Sequence, residues 1–234
     1  GPRNISTAML RSWENRADTA VVDEPFYAAY LAATGIDHPG RDAVVASQDT
    51  DWRRVAAMLT GPVPGGRRVF YQKHMTHHML PAIDTGWLAE IANVFLIRDP
   101  RAVIASYVRK REAVSFEDIG LRRQVELFEE VAARDGRPPP VIDADDVLAD
   151  PRGVLAGLCA SLGIAFDERM LSWPPGSRPT DGIWAKHWYH AVERSTGFQS
   201  RPSKTPTLPA GLEALAVECA PYYRALWIHC RSTR

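Results

Sequence analysis

The stretch Phe95-Leu96-Ile97-Arg98-Asp99-Pro100-Arg101-Ala102-Val103-Ile104-Ala105-Ser106 constrains this chain most, because it reads as a buried strand running directly into a helix. Val94 to Ile97 are apolar without alternation, the pattern of a strand covered on both faces in a parallel sheet. Asp99 suits an N-cap, and Pro100 suits the first helical position, where its missing N–H would have no partner anyway. Arg98 then stands at the carboxyl end of a strand, with Ser106 eight residues later on the helix. Ligands of open α/β sheets bind at strand ends, and a helix N-terminus offers N–H groups to an anion. An ordinary strand-to-helix turn with a surface arginine is the plainer reading of the same residues.

The opening Gly1-Pro2-Arg3-Asn4-Ile5-Ser6-Thr7 has the chemistry of a phosphate-binding loop without the Walker pattern G-x-x-x-x-G-K-[ST]. Arg3 supplies a fixed cation, Ser6 and Thr7 supply hydroxyls, and successive backbone N–H groups can wrap an anion. A helix from Ala8 to Asn15 should follow, with Ala8, Met9, Leu10 and Trp13 giving an apolar face and Ser6 or Thr7 the cap. A capped helix with no ligand is the bland alternative. Taken with Arg98 and Ser106, the loop predicts half of a site for a ligand carrying two separated phosphates.

The two segments, in this order and roughly ninety residues apart, resemble the sulfotransferase family that uses 3′-phosphoadenosine 5′-phosphosulfate (PAPS). The resemblance implies that Arg3, Asn4, Ile5, Ser6 and Thr7 grip the 5′-phosphosulfate, and that Arg98 and Ser106 hold the 3′-phosphate. Val141-Ile142-Asp143 with its acidic turn, followed by a helix ending at Leu162-Gly163, is similar to a further strand and helix of the family. Asp23-Glu24-Pro25 resembles the Glu-Pro step after the first helix of carbohydrate-type and bacterial members, and 182–198 looks like a closing C-terminal loop. Ala144 departs from the aromatic that many members carry. The implied fold is three-layer α/β/α around a central parallel sheet, a P-loop-like architecture. A strand ahead of Gly1 is also implied, since an empty slot within a parallel sheet would leave backbone donors and acceptors unpaired.

Composition fits one enzyme domain over 1–234, long enough for a single α/β core. Twenty-eight basic and 28 acidic residues give a formal charge of zero, which argues against a nucleic-acid partner. Cys159, Cys219 and Cys230 are few and odd in number, so neither a disulfide framework nor a cysteine zinc site is expected. No apolar run reaches bilayer length and no signal peptide is visible, so the expected compartment is the cytoplasm, with no membrane partner. Strands are expected over 19–22 and 68–72, helices over 26–34, 51–59, 120–134 and 209–227, and a movable lid over 173–207. Leu121, Val125, Leu127, Phe128 and Val131 should lie on or beside the inner stripe of the helix over 120–134.

Sulfuryl transfer needs a cation at the leaving phosphate oxygen and a base at the acceptor. Lys73, just beyond the strand over 68–72, is the candidate cation, against a solvated surface lysine. Glu24, after the strand over 19–22, is the first candidate base, against an acid that merely favours a helix dipole. His74 is the second, against a packed histidine. The expected reaction moves sulfate from PAPS to a hydroxyl, in preference to an amine, of a small-molecule acceptor, leaving adenosine 3′,5′-bisphosphate. No metal is expected. Two alternatives stand beside it: a metal-dependent hydrolase using His74, His77 and His78, of which the first and last have i,i+4 spacing, and a non-catalytic phosphonucleotide-binding protein. The absent Walker lysine sets a kinase behind these. Trp173, Trp184, Trp188, Tyr189 and Phe198 could line an acceptor pocket or pack the lid.

Overall fold

The computed structural model describes residues 1–108, 114–199, 206–209 and 211–230. In chain order the elements are α1 (Ser6–Glu14), β1 (Thr19–Asp23), α2 (Tyr27–Thr34), α3 (Arg41–Ser47), α4 (Trp52–Thr60), β2 (Val69–Lys73), β3 (Phe95–Ile97) and α5 (Pro100–Tyr107). There follow α6 (Phe116–Ile119), α7 (Leu121–Asp135), β4 (Val141–Asp143), α8 (Ala144–Ala149), α9 (Pro151–Ser161), α10 (Ala185–Trp188), α11 (His190–Glu193) and α12 (Glu213–Trp227). The chain forms two compact units. One comprises Gly1–Ser6, Ala92–Phe166 and Gln199–Arg234, the other Thr7–Ile91 and Asp167–Phe198.

In the first unit β3 and β4 pair in parallel, with Phe95 opposite Val141 and Ile97 opposite Asp143. The Asp99 carboxylate accepts from the Arg101 amide at 2.7 Å and Pro100 opens α5, so the sequence signature of this helix start holds. Asp143 and Asp150 cap α8 and α9 in the same way, through the amides of Asp145 and Gly153. Ser115 and Asp118 form a reciprocal capping box on α6. The core joins Val103 and Ile104 of α5 to Phe116, Ile119 and Leu121, with Ala216 and Cys219 of α12 packed against them. On α7 the buried stripe is Leu121, Gln124, Leu127, Phe128 and Val131. Gln124, which the apolar pattern does not mark, is buried with the stripe, and its amide donates to the Leu96 carbonyl of β3 at 2.9 Å. The last helix begins at Glu213, not Pro209.

In the second unit β1 and β2 pair in parallel from Thr19 opposite Val69 to Asp23 opposite Lys73. Helix α2 is stopped by Gly35, which takes the left-handed conformation (φ 66°) and donates to Leu31 O at 3.1 Å. Its buried face, Tyr27, Ala28 and Leu31, packs with Val44 of α3 and with Trp184, Ala185 and Tyr189. Asp51 caps α4 through the Arg53 amide, and Val55, Ala56 and Leu59 turn inward. The segment 172–197 closes on itself: Ser172 bridges Gly197, and Trp173 N donates to Thr196 O at 3.1 Å. Trp173, Trp184 and Tyr189 within it are buried, so these aromatics are packed rather than lining an open pocket. The expected lid continues into 200–205, which lies outside the described residues.

The α/β class is as expected, and both ladders are parallel. The three cysteines are buried thiols. Among the described residues no helix is long and apolar enough to cross a membrane.

Candidate functional site

The opening loop, Arg98 and Ser106 come together in the first unit. Asn4 fastens the loop: it is 4% exposed, its Nδ2 donates to the Leu96 carbonyl at 3.1 Å, and its Oδ1 accepts from Ser6 N at 3.2 Å. Asn4 therefore spends its side chain on anchoring the loop to β3, and it covers the Ser6 amide of α1. The expected cap from Ser6 or Thr7 does not form, because both residues already lie inside α1. On either side of Asn4 the backbone is left-handed, at Arg3 (φ 58°) and Ile5 (φ 63°). For β-branched Ile5 this is a genuine outlier, costing on the order of 1–3 kcal/mol. Such strain collects where a loop must gather its N–H groups around an anion.

Arg3 Nε donates to Ser106 Oγ at 3.0 Å, and Arg98 Nη1 donates to the Arg3 carbonyl at 2.8 Å. Ser106 is buried in the last turn of α5. Arg98 also lies 3.8 Å from Asp145, whose side chain is half-exposed. Two guanidiniums and a hydroxyl are thus gathered at the end of β3. Hydrogen bonds from a guanidinium to a phosphate are charge-assisted, and both arginines have that chemistry to offer.

The second cluster belongs to the second unit and follows from strand register. Because Asp23 lies opposite Lys73 in the parallel ladder, an acid and a base from strands fifty residues apart meet at the ladder's end. Lys73 is the last residue of β2, not the first beyond it, and is 3% exposed. Its ammonium donates to Glu24 Oε1 at 2.6 Å, Asp23 Oδ1 at 2.9 Å and Tyr189 OH at 2.8 Å. The Tyr189 hydroxyl in turn donates to Asp23 Oδ2 at 2.5 Å and accepts from Trp184 Nε1 at 3.2 Å. A buried charge survives only when paired and fully hydrogen-bonded, and all three ammonium hydrogens are used here. Burial by itself pulls Lys73 down, but Asp23 and Glu24 outweigh it and hold the amine charged, well above its ordinary value. Burial pushes the Glu24 carboxyl up, with Asp23 adding to the rise and Lys73 opposing it. Glu24 also has left-handed backbone (φ 44°), with its N–H on the Lys73 carbonyl at 2.9 Å.

His74 is placed differently. Its Nε2 faces Gln72 Oε1 at 3.3 Å, and its ring leans on Phe26 and Trp87 with centroids 5.8 and 5.6 Å away. Burial pushes it down to about 4. The i,i+4 helical face supposed for His74 and His78 does not form, because Thr76–His78 is a single 3-10 turn. His78 stacks on Tyr27 at 4.5 Å and on Tyr30 at 4.9 Å. Among the described residues no three His, Cys, Asp or Glu side chains are grouped to hold a metal ion. Asp23 and Tyr189 are the members of the Lys73 cluster that sequence reasoning did not place there. Two successive acids at a strand end hinted at Asp23, whereas no local signal ties Tyr189 to a lysine 116 residues earlier.

A family model described as a sulfotransferase domain matches residues 1–230. Two Arabidopsis thaliana proteins, branched-chain-amino-acid aminotransferase-like proteins 2 and 1, are 35% and 37% identical to the chain over 232 residues. Each match takes in 98% of this chain but only 41% of the relative, so the chain spans about two fifths of those proteins' length. The sulfotransferase domain of the olefin synthase from Synechococcus PCC 7002 matches with a TM-score of 0.57 at 17% identity, covering 96% of this chain and 92% of that one. The sulfotransferase domain from the curacin biosynthetic pathway matches at 0.56 and 19%, covering 94% and 93%. These two likenesses carry the fold, a P-loop-like α/β architecture with parallel strands.

Proposed function

The chain belongs to the sulfotransferase domain family, and on that premise we propose that it moves a sulfuryl group from PAPS to a hydroxyl of a small-molecule acceptor. The bond between sulfur and the bridging oxygen of the 5′-phosphate breaks, a bond from the acceptor oxygen to sulfur forms, and adenosine 3′,5′-bisphosphate leaves. Lys73 is the cation that donates to the bridging oxygen as negative charge builds there. Glu24 accepts the acceptor's proton, and its raised proton affinity brings it nearer to the operating range of a general base. Arg98 and Ser106 take the 3′-phosphate, and Arg3 with the strained loop takes the 5′ end.

The observation that supports this chemistry is the 2.6 Å bond from Lys73 to Glu24, an ammonium and a carboxylate paired at the end of a parallel ladder. His74 is disfavoured as the base because burial holds it neutral with a weakened affinity for protons. The plant relatives carry aminotransferase-like names, and the chain matches 41% of each of them. Schiff-base chemistry needs a neutral amine, whereas two carboxylates keep Lys73 charged. Incubation with radiolabelled PAPS and a panel of hydroxylated acceptors should release adenosine 3′,5′-bisphosphate and labelled product in equal amounts. Lys73→Met should abolish both. Product formation undiminished in Lys73→Met would overturn the assignment.

A further inference from the structure

The geometry points to Asp23 and Tyr189 as positioning residues, a fixed seat that keeps the Lys73 ammonium aimed while Glu24 is the partner that exchanges. The inference rests on the sulfuryl-transfer reading above and concerns how one site divides its labour. Lys73 has three N–H donors and three acceptors at 2.6 to 2.9 Å, so donating to a leaving oxygen requires releasing one of them. The three are not equally held. Asp23 uses both carboxylate oxygens, one for Lys73 and one for Tyr189, and its side chain is 2% exposed. Tyr189 OH is saturated, donating once and accepting twice. Glu24 is tied through Oε1 alone, with its side chain 11% exposed on a left-handed backbone. Glu24 is therefore the partner that can leave, and in leaving it becomes available for the acceptor's proton.

What remains then matters. Without Asp23 and Tyr189, an ammonium buried at 3% exposure would lose its charge or swing away once Glu24 let go. Other titratable groups near Lys73 cannot take over: burial pushes Tyr71 up and His78 and His74 down, leaving all three neutral. The segment closed by the Ser172–Gly197 bridge supplies Tyr189, with Trp184 from the same segment fixing its hydroxyl.

The test uses the whole chain labelled with carbon-13 at lysine Cε, which is tractable because the sequence holds four lysines, at 73, 110, 186 and 204. In the wild type Lys73 should titrate above its ordinary value, because Asp23 and Glu24 hold it charged. Removing an acceptor at unchanged burial lowers an amine's proton affinity, so Asp23→Asn should bring its titration down by about one pH unit or more, and Tyr189→Phe by less. In turnover assays both variants should lower kcat by roughly 10- to 100-fold with KM for PAPS nearly unchanged, and the alkaline limb of kcat should follow Lys73 downward. A purely structural role would lower the melting temperature and leave that limb and the Lys73 titration in place. Unmoved titration in both variants overturns the inference. The lysine spectra need no donor, so a wild type that fails to transfer sulfate counts against the sulfuryl-transfer reading, while the titrations still decide the seat.

Discussion

Replacing Lys73 with methionine probes the electrostatics of the second cluster, because the substitution keeps much of the side-chain volume while removing the charge and its three N–H donors. In the wild type the ammonium lies within 2.9 Å of both Asp23 and Glu24, with all three groups buried. Lys73→Met leaves two carboxylates side by side with no cation between them. Breaking a buried pair by removing one partner costs about 3–5 kcal/mol, which for a chain of this size corresponds to a fall of about 6–20 °C in melting temperature. The loss should depend on pH in one direction. A carboxyl whose proton affinity is raised by folding stabilises the fold most in acid, and that stability drains away as pH climbs from its ordinary value near 4.5 toward the raised one. Glu24 is already raised by burial and by Asp23, and the variant removes the cation that pulls it back. The deficit should therefore be larger at about pH 8 than at about pH 5, which is nearer the ordinary value of the Glu24 carboxyl. Thermal unfolding followed by circular dichroism at the two pH values measures this. An equal loss at both, or no loss, refutes the reasoning.

Arg98→Ala should weaken adenosine 3′,5′-bisphosphate by about 1.5–3 kcal/mol, the usual worth of a hydrogen bond to a charged group, and calorimetry showing unchanged affinity would remove Arg98 from the phosphate site. Glu24→Gln should lower turnover while nucleotide affinity holds, and His74→Ala should retain turnover; steady-state rates in the opposite order would pass the base to His74. Asp143, pushed up to about 6 by burial against the opposing 2.6 Å bond from Tyr223, should make the fold more stable in acid, with stability falling as pH rises from about 4 to about 6. Asp143→Asn should flatten that slope in chemical denaturation, and a slope that survives the substitution would show that another group causes it.

The parts of the fold written in consecutive residues were legible in the sequence. Asp99 and Pro100 announce α5, Gly35 ends α2, and the unbroken apolar run before Arg98 marks β3 as a buried strand. What escaped depends on residues brought together across the chain. Lys73 reads as lying beyond its strand because an isolated charge is expensive to bury, and only the pairing of β2 with β1 supplies the acids that make burial tolerable. Gln124 looks like a break in an apolar stripe until the Leu96 carbonyl appears opposite it. Ser6, Thr7 and Asn4 are all credible caps by residue type, and the left-handed turn at Ile5 decides in favour of Asn4. The i,i+4 spacing of His74 and His78 carries meaning only on a helix, and the chain there makes a short 3-10 turn instead.

The most direct test of the sulfate-donor assignment is calorimetric titration of the intact chain with adenosine 3′,5′-bisphosphate and, separately, with ATP. Arg98 and Ser106, gathered with Arg3 at the end of β3, predict tight binding of the bisphosphate and much weaker binding of ATP, which lacks a phosphate on the ribose 3′ oxygen. Equal affinity for the two, or preference for ATP, would contradict the account.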